Sequence, residues 1–98
     1  MTRPISLHRL AQTEINDETD YYFEIDPELG REFLDRAERA FDEIVENPKA
    51  SMIVVENVRP KLVDRFPVSI YYIFNEEVFR VVAVASDKRR PLYWMDRF

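Results

Sequence analysis

The residues best suited to chemistry lie near the end of the chain, in a basic turn followed by aromatic side chains. Three consecutive cations, Lys88, Arg89 and Arg90, follow a β-branched stretch, and Tyr93 and Trp94 come shortly after them. Cations beside aromatic rings suit phosphate contact combined with base stacking. This basic turn is therefore the first candidate binding surface. The alternative is that the cations solvate a strand end while the two rings cover the edge of the core.

Two earlier cations extend this patch if their strand is regular. Lys61 and Arg65 are separated by an even number of residues, which places both on one face of a strand. RNA cleavage without a metal at such a patch needs a general base, a general acid and cations for the developing phosphorane charge. Tyr93 is the candidate acid and the arginines are the candidate clamp. No base is evident, because His8 is distant in sequence and Lys88 is a poor base while it carries its charge.

The composition excludes several other classes of site. A single glycine leaves no glycine-rich phosphate loop, which needs several positions without a side chain. The absence of cysteine excludes a disulfide scaffold, an iron–sulfur site and a zinc ribbon, and one histidine leaves little for other metals. We therefore expect no metal and no cofactor. No apolar run approaches the roughly 20 residues that span a bilayer, so we expect no membrane contact and a cytoplasmic location.

The formal charge of −5 is divided unevenly along the chain. Residues 1–50 hold 13 acidic and 6 basic side chains, whereas residues 51–98 hold 6 acidic and 8 basic ones. An acidic total argues against a nucleic-acid binder, whose affinity comes mostly from Lys and Arg. The carboxylates four residues apart, Glu14 with Glu18 and Asp42 with Glu46, are interpreted as solvated helix faces, since no histidine accompanies them. No serine has a histidine and an aspartate in a recognisable triad arrangement.

Periodicity and breakers predict the elements that position these residues. Proline is disfavoured inside helices, and an Asp before it is a good N-cap, so Asp26-Pro27 and Asn47-Pro48 delimit two helices. β-Branched and aromatic stretches after Pro48 predict strands. The expected elements are a strand at 3–8, helices at 10–25 and 27–46, and strands at 52–58, 61–66, 68–74 and 78–86.

This order predicts an α+β fold of the form β-α-α-β-β-β, a single domain over residues 1–98. The helical hairpin packs on one face of a small, mostly antiparallel sheet, and the first strand joins beside a later one. Strand 68–74 is apolar on both faces and is expected to be central. In the last strand, simple alternation puts Ala83 on the face of Phe79 and Val81, and Val84 on the opposite face.

An ordered set of short motifs resembles the RelE/ParE superfamily of toxins from toxin–antitoxin systems, across essentially the whole chain. The motifs are Ala11-x-x-Glu14-Ile15, Tyr21-Tyr22, Glu28-Leu29-Gly30, Phe33-Leu34, Asn47-Pro48, Arg65-Phe66-Pro67, Ile70-Tyr71-Tyr72, Val82-Ala83-Val84-Ala85 and Arg89-Arg90-Pro91-x-Tyr93-Trp94-x-x-Arg97. The resemblance implies a small cytosolic toxin of the plasmid-stabilisation type. It also implies a co-encoded antitoxin as partner in a hetero-oligomer. Aromatic residues in excess of what a small core encloses, such as Tyr21, Phe23, Phe41, Tyr71 and Trp94, are consistent with such an interface.

Within the superfamily the charge favours the ParE type, which poisons DNA gyrase by binding and without its own catalysis. Relatives with the Arg-Arg-Pro ending usually carry a histidine just before it, where this chain has Ser86-Asp87. The alternatives are a RelE-like ribosome-dependent mRNA endoribonuclease acting through Arg65, Arg89, Arg90 and Tyr93, or a non-toxic member of the superfamily. The residues expected to bind a target are Lys61, Arg65, Lys88, Arg89, Arg90, Tyr93, Trp94 and Arg97.

Overall fold

Two consecutive helices and four strands make up the structure, a computed structural model that describes residues 3–97. In chain order the elements are β1 (Ile5–Leu7), α1 (Arg9–Ile25), α2 (Pro27–Glu46), β2 (Arg59–Leu62), β3 (Val68–Phe74), β4 (Phe79–Ser86) and a short 3₁₀ helix (Met95–Arg97). The predicted order β-α-α-β-β-β is confirmed. Within the described part of the chain, neither helix has the length and apolar character needed to cross a membrane.

The helical hairpin turns at a proline junction that local sterics determine. The Asp26 side chain accepts a hydrogen bond from Glu28 N at 3.2 Å, and Pro27 occupies the first turn of α2. The one glycine of the chain, Gly30, packs against the ring of Phe23. A Cβ built at this position would lie 2.3 Å from Phe23 Cγ, so glycine allows the two helices to approach closely. The single glycine therefore serves helix packing.

The sheet has the strand order β1-β4-β3-β2, with β1 parallel to β4 and the other neighbours antiparallel. The predicted helical hairpin on one face of a mostly antiparallel sheet, with the first strand beside a later one, is confirmed. β3 is central, as its two apolar faces predict. The helix-facing core contains the buried residues Ala11, Tyr22, Phe33, Ala37, Ala40, Ile44, Val63, Phe66, Val68, Ile70, Tyr72, Phe79, Val81 and Val84.

An irregularity in the β3–β4 pairing changes which residues of β4 face the helices. The register shifts between Tyr71 and Tyr72, so one extra residue of β4 lies opposite this step. Such a bulge resets the alternation of side chains beyond it. Val84 therefore packs in the helix-facing core, and Ala83 packs on the opposite face with Trp94. The sheet faces that simple alternation predicts for Ala83 and Val84 are therefore wrong.

The prediction of a strand at 52–58 is wrong. Only an isolated bridge between Val55 and Val58 forms there, closed by a hydrogen bond from Val58 N to Val55 O at 2.8 Å. Glu56 has a φ of 51°, a left-handed conformation that ends extended structure. Val58 is fully buried on the sheet face opposite the helices and Val55 packs in the same cluster, so these two residues serve packing instead of strand pairing, whereas Ile53 and Val54 are exposed.

β2 is shifted towards the N-terminus of the predicted strand at 61–66. It begins at Arg59 and ends at Leu62. Arg65 has a φ of 71°, so the chain is already turning at this residue. The even spacing of Lys61 and Arg65 therefore does not place them on one strand face, because the second residue lies in the turn.

Candidate functional site

The end of the sheet brings two turns together. Val68 at the start of β3 pairs with Ser86 at the end of β4, and Asp87 N donates to Pro67 O at 2.9 Å. The turn at 64–67, which carries Arg65, therefore lies beside the turn at 87–90, which carries the three consecutive cations. We call these two segments the sheet-end turns.

Glu14 of α1 is the most strongly engaged side chain near these turns. Its Oε1 accepts hydrogen bonds from Val84 N at 3.0 Å and from Arg97 Nη1 at 2.8 Å. Its Oε2 accepts from Arg97 Nη2 at 3.0 Å and from the Tyr93 hydroxyl. Glu14 is only 9% exposed, so its interpretation as part of a solvated helix face was wrong. We call Glu14, Tyr93 and Arg97 the Glu14 clasp.

The position of the clasp follows from where β1 stops. Leu7, the last residue of β1, pairs with Val81, so beyond that point β4 has no strand on this side. The backbone N–H and C=O groups of β4 on this side need other hydrogen-bond partners because they are buried. Glu14 accepts from Val84 N, and Arg97 Nη1 donates to Val82 O at 3.1 Å. Two side chains thus complete the edge of the sheet, and they attach the C-terminal segment to α1.

The charges within the clasp favour one arrangement of protons. Burial raises the pKa of Glu14, but hydrogen bonds from Arg97, Tyr93 and the Val84 amide outweigh it and lower the pKa below its usual range. The pKa of Arg97 is raised by its hydrogen bond to this carboxylate. Burial and the hydrogen bond to Glu14 raise the pKa of Tyr93 well above its usual range. The phenol therefore keeps its proton, and its hydroxyl is occupied.

Three residues expected to contact a target instead hold the turn in place. Trp94 is 1% exposed and packs against the sheet face opposite the helices, with its ring centroid 4.9 Å from that of Tyr71. The Arg97 side chain is 9% exposed and forms an ion pair with Glu14. Tyr93 is partly buried in the same network. Trp94 therefore covers the edge of the core, as expected from the alternative interpretation of the basic turn.

Arg89 links the clasp to the solvent. Its Cζ lies 3.9 Å from the centroid of the Tyr93 ring, and its Nη1 lies 3.8 Å from Glu14 Oε2. The Arg89 side chain is still 51% exposed. Arg89 is therefore oriented by the clasp and also available to a ligand.

Besides Arg89, the exposed cations of the sheet-end turns are Arg65, Lys88 and Arg90. Lys61 lies apart from them and faces α2, where its Nζ is 3.4 Å from Glu43 Oε1. Arg65 therefore lies in the expected patch, but the predicted cause was wrong. It lies there because the turn at 64–67 is beside the turn at 87–90, and not because it shares a strand face with Lys61.

The backbone just after the basic turn is strained at Leu92. Leu92 has a φ of 60°, a conformation that costs a non-glycine residue roughly 1 kcal/mol, and its side chain is 44% exposed. Leu92 is thus exposed, whereas Trp94, two residues later, is buried. An exposed leucine beside Arg90 gives the turn an apolar component that the sequence analysis did not single out.

His8 has a structural role. Its Nδ1 accepts a hydrogen bond from Leu10 N at 3.0 Å, so the side chain caps α1 at the end of β1. The group that contacts the Tyr93 hydroxyl is instead the Glu14 carboxylate, which is buried and also accepts hydrogen bonds from Arg97 and the Val84 amide. The sheet-end turns present cations, one oriented by the clasp, and the phenol beside them is engaged as a hydrogen-bond donor. This arrangement suits binding of an anionic surface better than proton transfer.

Neither a known family profile nor a curated protein sequence matches the chain. A chain of the chromosomal ParDE toxin–antitoxin system from P. aeruginosa has a similar structure, with a TM-score of 0.72. The likeness covers 87% of this chain and 96% of that chain, at 17% sequence identity. At this identity the likeness shows a shared fold.

Proposed function

We propose that this chain, over residues 1–98, is the toxin of a type II toxin–antitoxin module. In this proposal a co-encoded antitoxin neutralises it in the cytoplasm by forming a hetero-oligomer, and the free toxin binds a target such as DNA gyrase without catalysis of its own. One observation carries the proposal: 87% of the chain shares its fold with a chain of a ParDE toxin–antitoxin system. The ordered motifs described above, found independently of the fold, support the same assignment.

The geometry of the sheet-end turns favours target binding over RNA cleavage. A general acid must release a proton in the transition state, and efficiency is greatest when its pKa lies near the working pH. The pKa of Tyr93 is raised by burial and by its hydrogen bond to Glu14, which opposes such a role. Lys88 and Arg90 are exposed and have no ion pair among the described residues 3–97, so they remain available to an anionic partner.

Expression of the chain without its antitoxin tests the proposal. We expect growth arrest and a DNA-damage response, relieved when the proposed co-encoded antitoxin is co-expressed. In vitro, excess purified chain should inhibit supercoiling by gyrase. Undiminished supercoiling would contradict the gyrase target, and new mRNA ends mapped at ribosomes would favour the ribonuclease alternative. Normal growth with abundant soluble chain would indicate a non-toxic member of the fold.

A matched pair of variants tests the working surface. The double change Lys88→Ala with Arg90→Ala removes two exposed cations and spares Arg89, which contacts the clasp. We expect loss of growth arrest with a free energy of unfolding within about 0.5 kcal/mol of the original, as for exposed positions generally. The control, Arg31→Ala with Arg39→Ala, removes the same charge from exposed positions of α2 and should leave growth arrest intact. Equal toxicity of both double variants would rule out the sheet-end turns as the working surface.

A further inference from the structure

A short segment between α2 and β2 has strand-like residues and no strand partner within the described chain, residues 3–97. Met52, Ile53 and Val54 are 85%, 45% and 50% exposed, and the last two are β-branched. Residues 52–54 are neither helical nor part of a turn. β-Branched side chains favour extended structure. We call residues 51–54 the edge segment, because they lie at the edge of the sheet beside β2.

The contacts of the edge segment place it along the start of β2. Arg59 Nη1 donates a hydrogen bond to Ser51 O. Val54 N donates to Val58 O at 2.9 Å. β2 is the outermost strand on this side of the sheet, and it is poorly suited to pairing with a further strand because Pro60 in its interior has no N–H. The edge segment therefore presents the free backbone at this edge.

Ile53 directs unpaired backbone groups outward. The N–H and C=O groups of successive residues in an extended chain point to opposite sides. Val54 N points towards Val58, so the N–H and C=O of Ile53 point away from β2. Among the described residues 3–97, neither Met52 nor Ile53 has a hydrogen-bond partner. Both backbone groups and the apolar side chain of Ile53 are thus available to an added strand.

The edge segment is complementary to an antiparallel copy of itself. A two-fold axis between two antiparallel strands places one residue opposite itself, and the outward groups of Ile53 fit that position. Each Ile53 N–H then donates to the Ile53 carbonyl of the second copy, and Met52 lies opposite Val54. Lys49 precedes the segment and Glu56 follows it, and both are exposed. The antiparallel arrangement therefore brings unlike charges together at each end, whereas a parallel one would bring like charges together.

We propose that two copies of this chain form a symmetric dimer by pairing their edge segments as antiparallel strands about Ile53. Such a dimer does not depend on the proposed function. A second copy is selected over another partner because it matches the apolar centre and supplies both charges that the two ends require. The paired segments are short, so the area buried falls below about 1,200 Å², which is typical of weak and transient contacts. We therefore expect a reversible dimer that forms at micromolar or higher concentration.

Pairing at this edge leaves the sheet-end turns free. The edge segment lies beside Val58 and Arg59, where β2 begins, whereas the turn at 64–67 follows the end of β2. Lys88 and Arg90 lie on the turn beside it and stay exposed in both copies. The dimer therefore presents the basic surface twice, and loss of the dimer leaves each copy's own surface intact.

Sedimentation of the purified full chain over a series of concentrations tests the dimer. We expect a reversible monomer–dimer equilibrium for the original chain. Ile53→Lys places two like charges at the axis and removes the apolar contact there, so it should weaken dimerisation about tenfold or more. Leu34→Lys is the matched control and should dimerise as the original does, because Leu34 is also 45% exposed but lies on α2.

A cysteine at the axis tests the register. The chain has no cysteine, so the thiols of Ile53→Cys can form a disulfide only between two copies. Residues opposite each other in a hydrogen-bonded antiparallel pair have Cα atoms about 5.5 Å apart, within the range that a disulfide spans. Under the same mild oxidation in air, Ile53→Cys should cross-link readily and Leu34→Cys only slowly.

The outcomes decide between a dimer at this edge and the alternatives. An original chain that stays monomeric at every concentration overturns the proposal. So does a dimer that Ile53→Lys leaves unchanged, or cross-linking of Ile53→Cys no faster than that of Leu34→Cys. Pairing through Ile53 with another protein alone would assign the edge segment to that protein and overturn the second copy. Loss of the dimer with unchanged circular dichroism and unchanged emission of the buried Trp94 supports the proposal.

Discussion

Replacing Glu14 by glutamine tests whether the clasp holds the C-terminal segment on the sheet. The amide has the shape of the carboxylate but removes the charge that pairs with Arg97, whose side chain is only 9% exposed. Removing one partner of a buried pair typically costs 3–5 kcal/mol because the other charge stays buried. We therefore expect Glu14→Gln to lower the free energy of unfolding by about 3 kcal/mol. For a chain of this size that corresponds to a decrease in Tm of roughly 12–24 °C.

The assay uses the chain's own fluorophore. Trp94 is the single tryptophan and is 1% exposed, so its emission reports whether the C-terminal segment stays packed. Urea unfolding is followed by this emission and by circular dichroism in parallel. Asp20→Asn, on the exposed face of the same helix, is the control and should change stability by less than about 0.5 kcal/mol. If Glu14→Gln behaves like this control, the clasp does not stabilise the fold.

The same pair predicts a pH dependence with a definite sign. The pKa of Glu14 is lowered in the folded state from its ordinary value of 4.5, so the unfolded chain binds its proton more tightly. The stabilisation is therefore fully present above about pH 4.5 and is lost as the pH falls through the lower folded value. Glu14→Gln should remove this component and flatten the acid limb of the stability profile. An acid limb that keeps its slope in Glu14→Gln would assign the effect to other carboxylates.

Two further changes test the packing around the clasp and between the helices. Tyr93→Phe removes the hydroxyl that donates to Glu14 and should cost about 1 kcal/mol in urea unfolding; an unchanged midpoint would show that this hydrogen bond contributes nothing net. Gly30→Ala places a methyl group against the Phe23 ring and should destabilise the hairpin by about 1–3 kcal/mol, whereas full stability in this variant would mean that the ring moves freely aside.

Much of the fold could be predicted because the relevant signals act over a few residues. The Asp26-Pro27 junction ends α1 and begins α2 through local sterics and capping, and both helices lie where the sequence predicts them. The errors came where tertiary contacts override local preference. Segment 52–58 has strand-like composition, yet Val58 is buried on the far sheet face and no strand forms. The bulge in β4 leaves no local signal that alternation can detect.

In the candidate site, too, some residues could be predicted from local sequence and others only from tertiary contacts. The cations at Lys88, Arg89 and Arg90 could be identified from composition, because a run of like charges beside aromatic residues stands out in the sequence. Glu14 could not, although it lies three residues after Ala11 and eight before Tyr22, both on the buried stripe of α1. The spacing of Glu14 from these two residues is a local sign of burial. A carboxylate on a helix without a partner nearby in sequence is nevertheless usually solvated, so the spacing alone does not predict that Glu14 is buried.

The sequence by itself determined the order of the elements, the limits of the two helices and the location of the cations. Each of these depends on charge, chain stiffness or hydrogen bonding within a turn or two of the residue concerned. The tertiary structure alone decided that Glu14 is buried, since its partners Tyr93 and Arg97 are 79 and 83 positions away. It also decided which cations stay exposed. The burial of Glu14 depends on the end of β1, which leaves the edge of β4 to be completed by the side chains of Glu14 and Arg97.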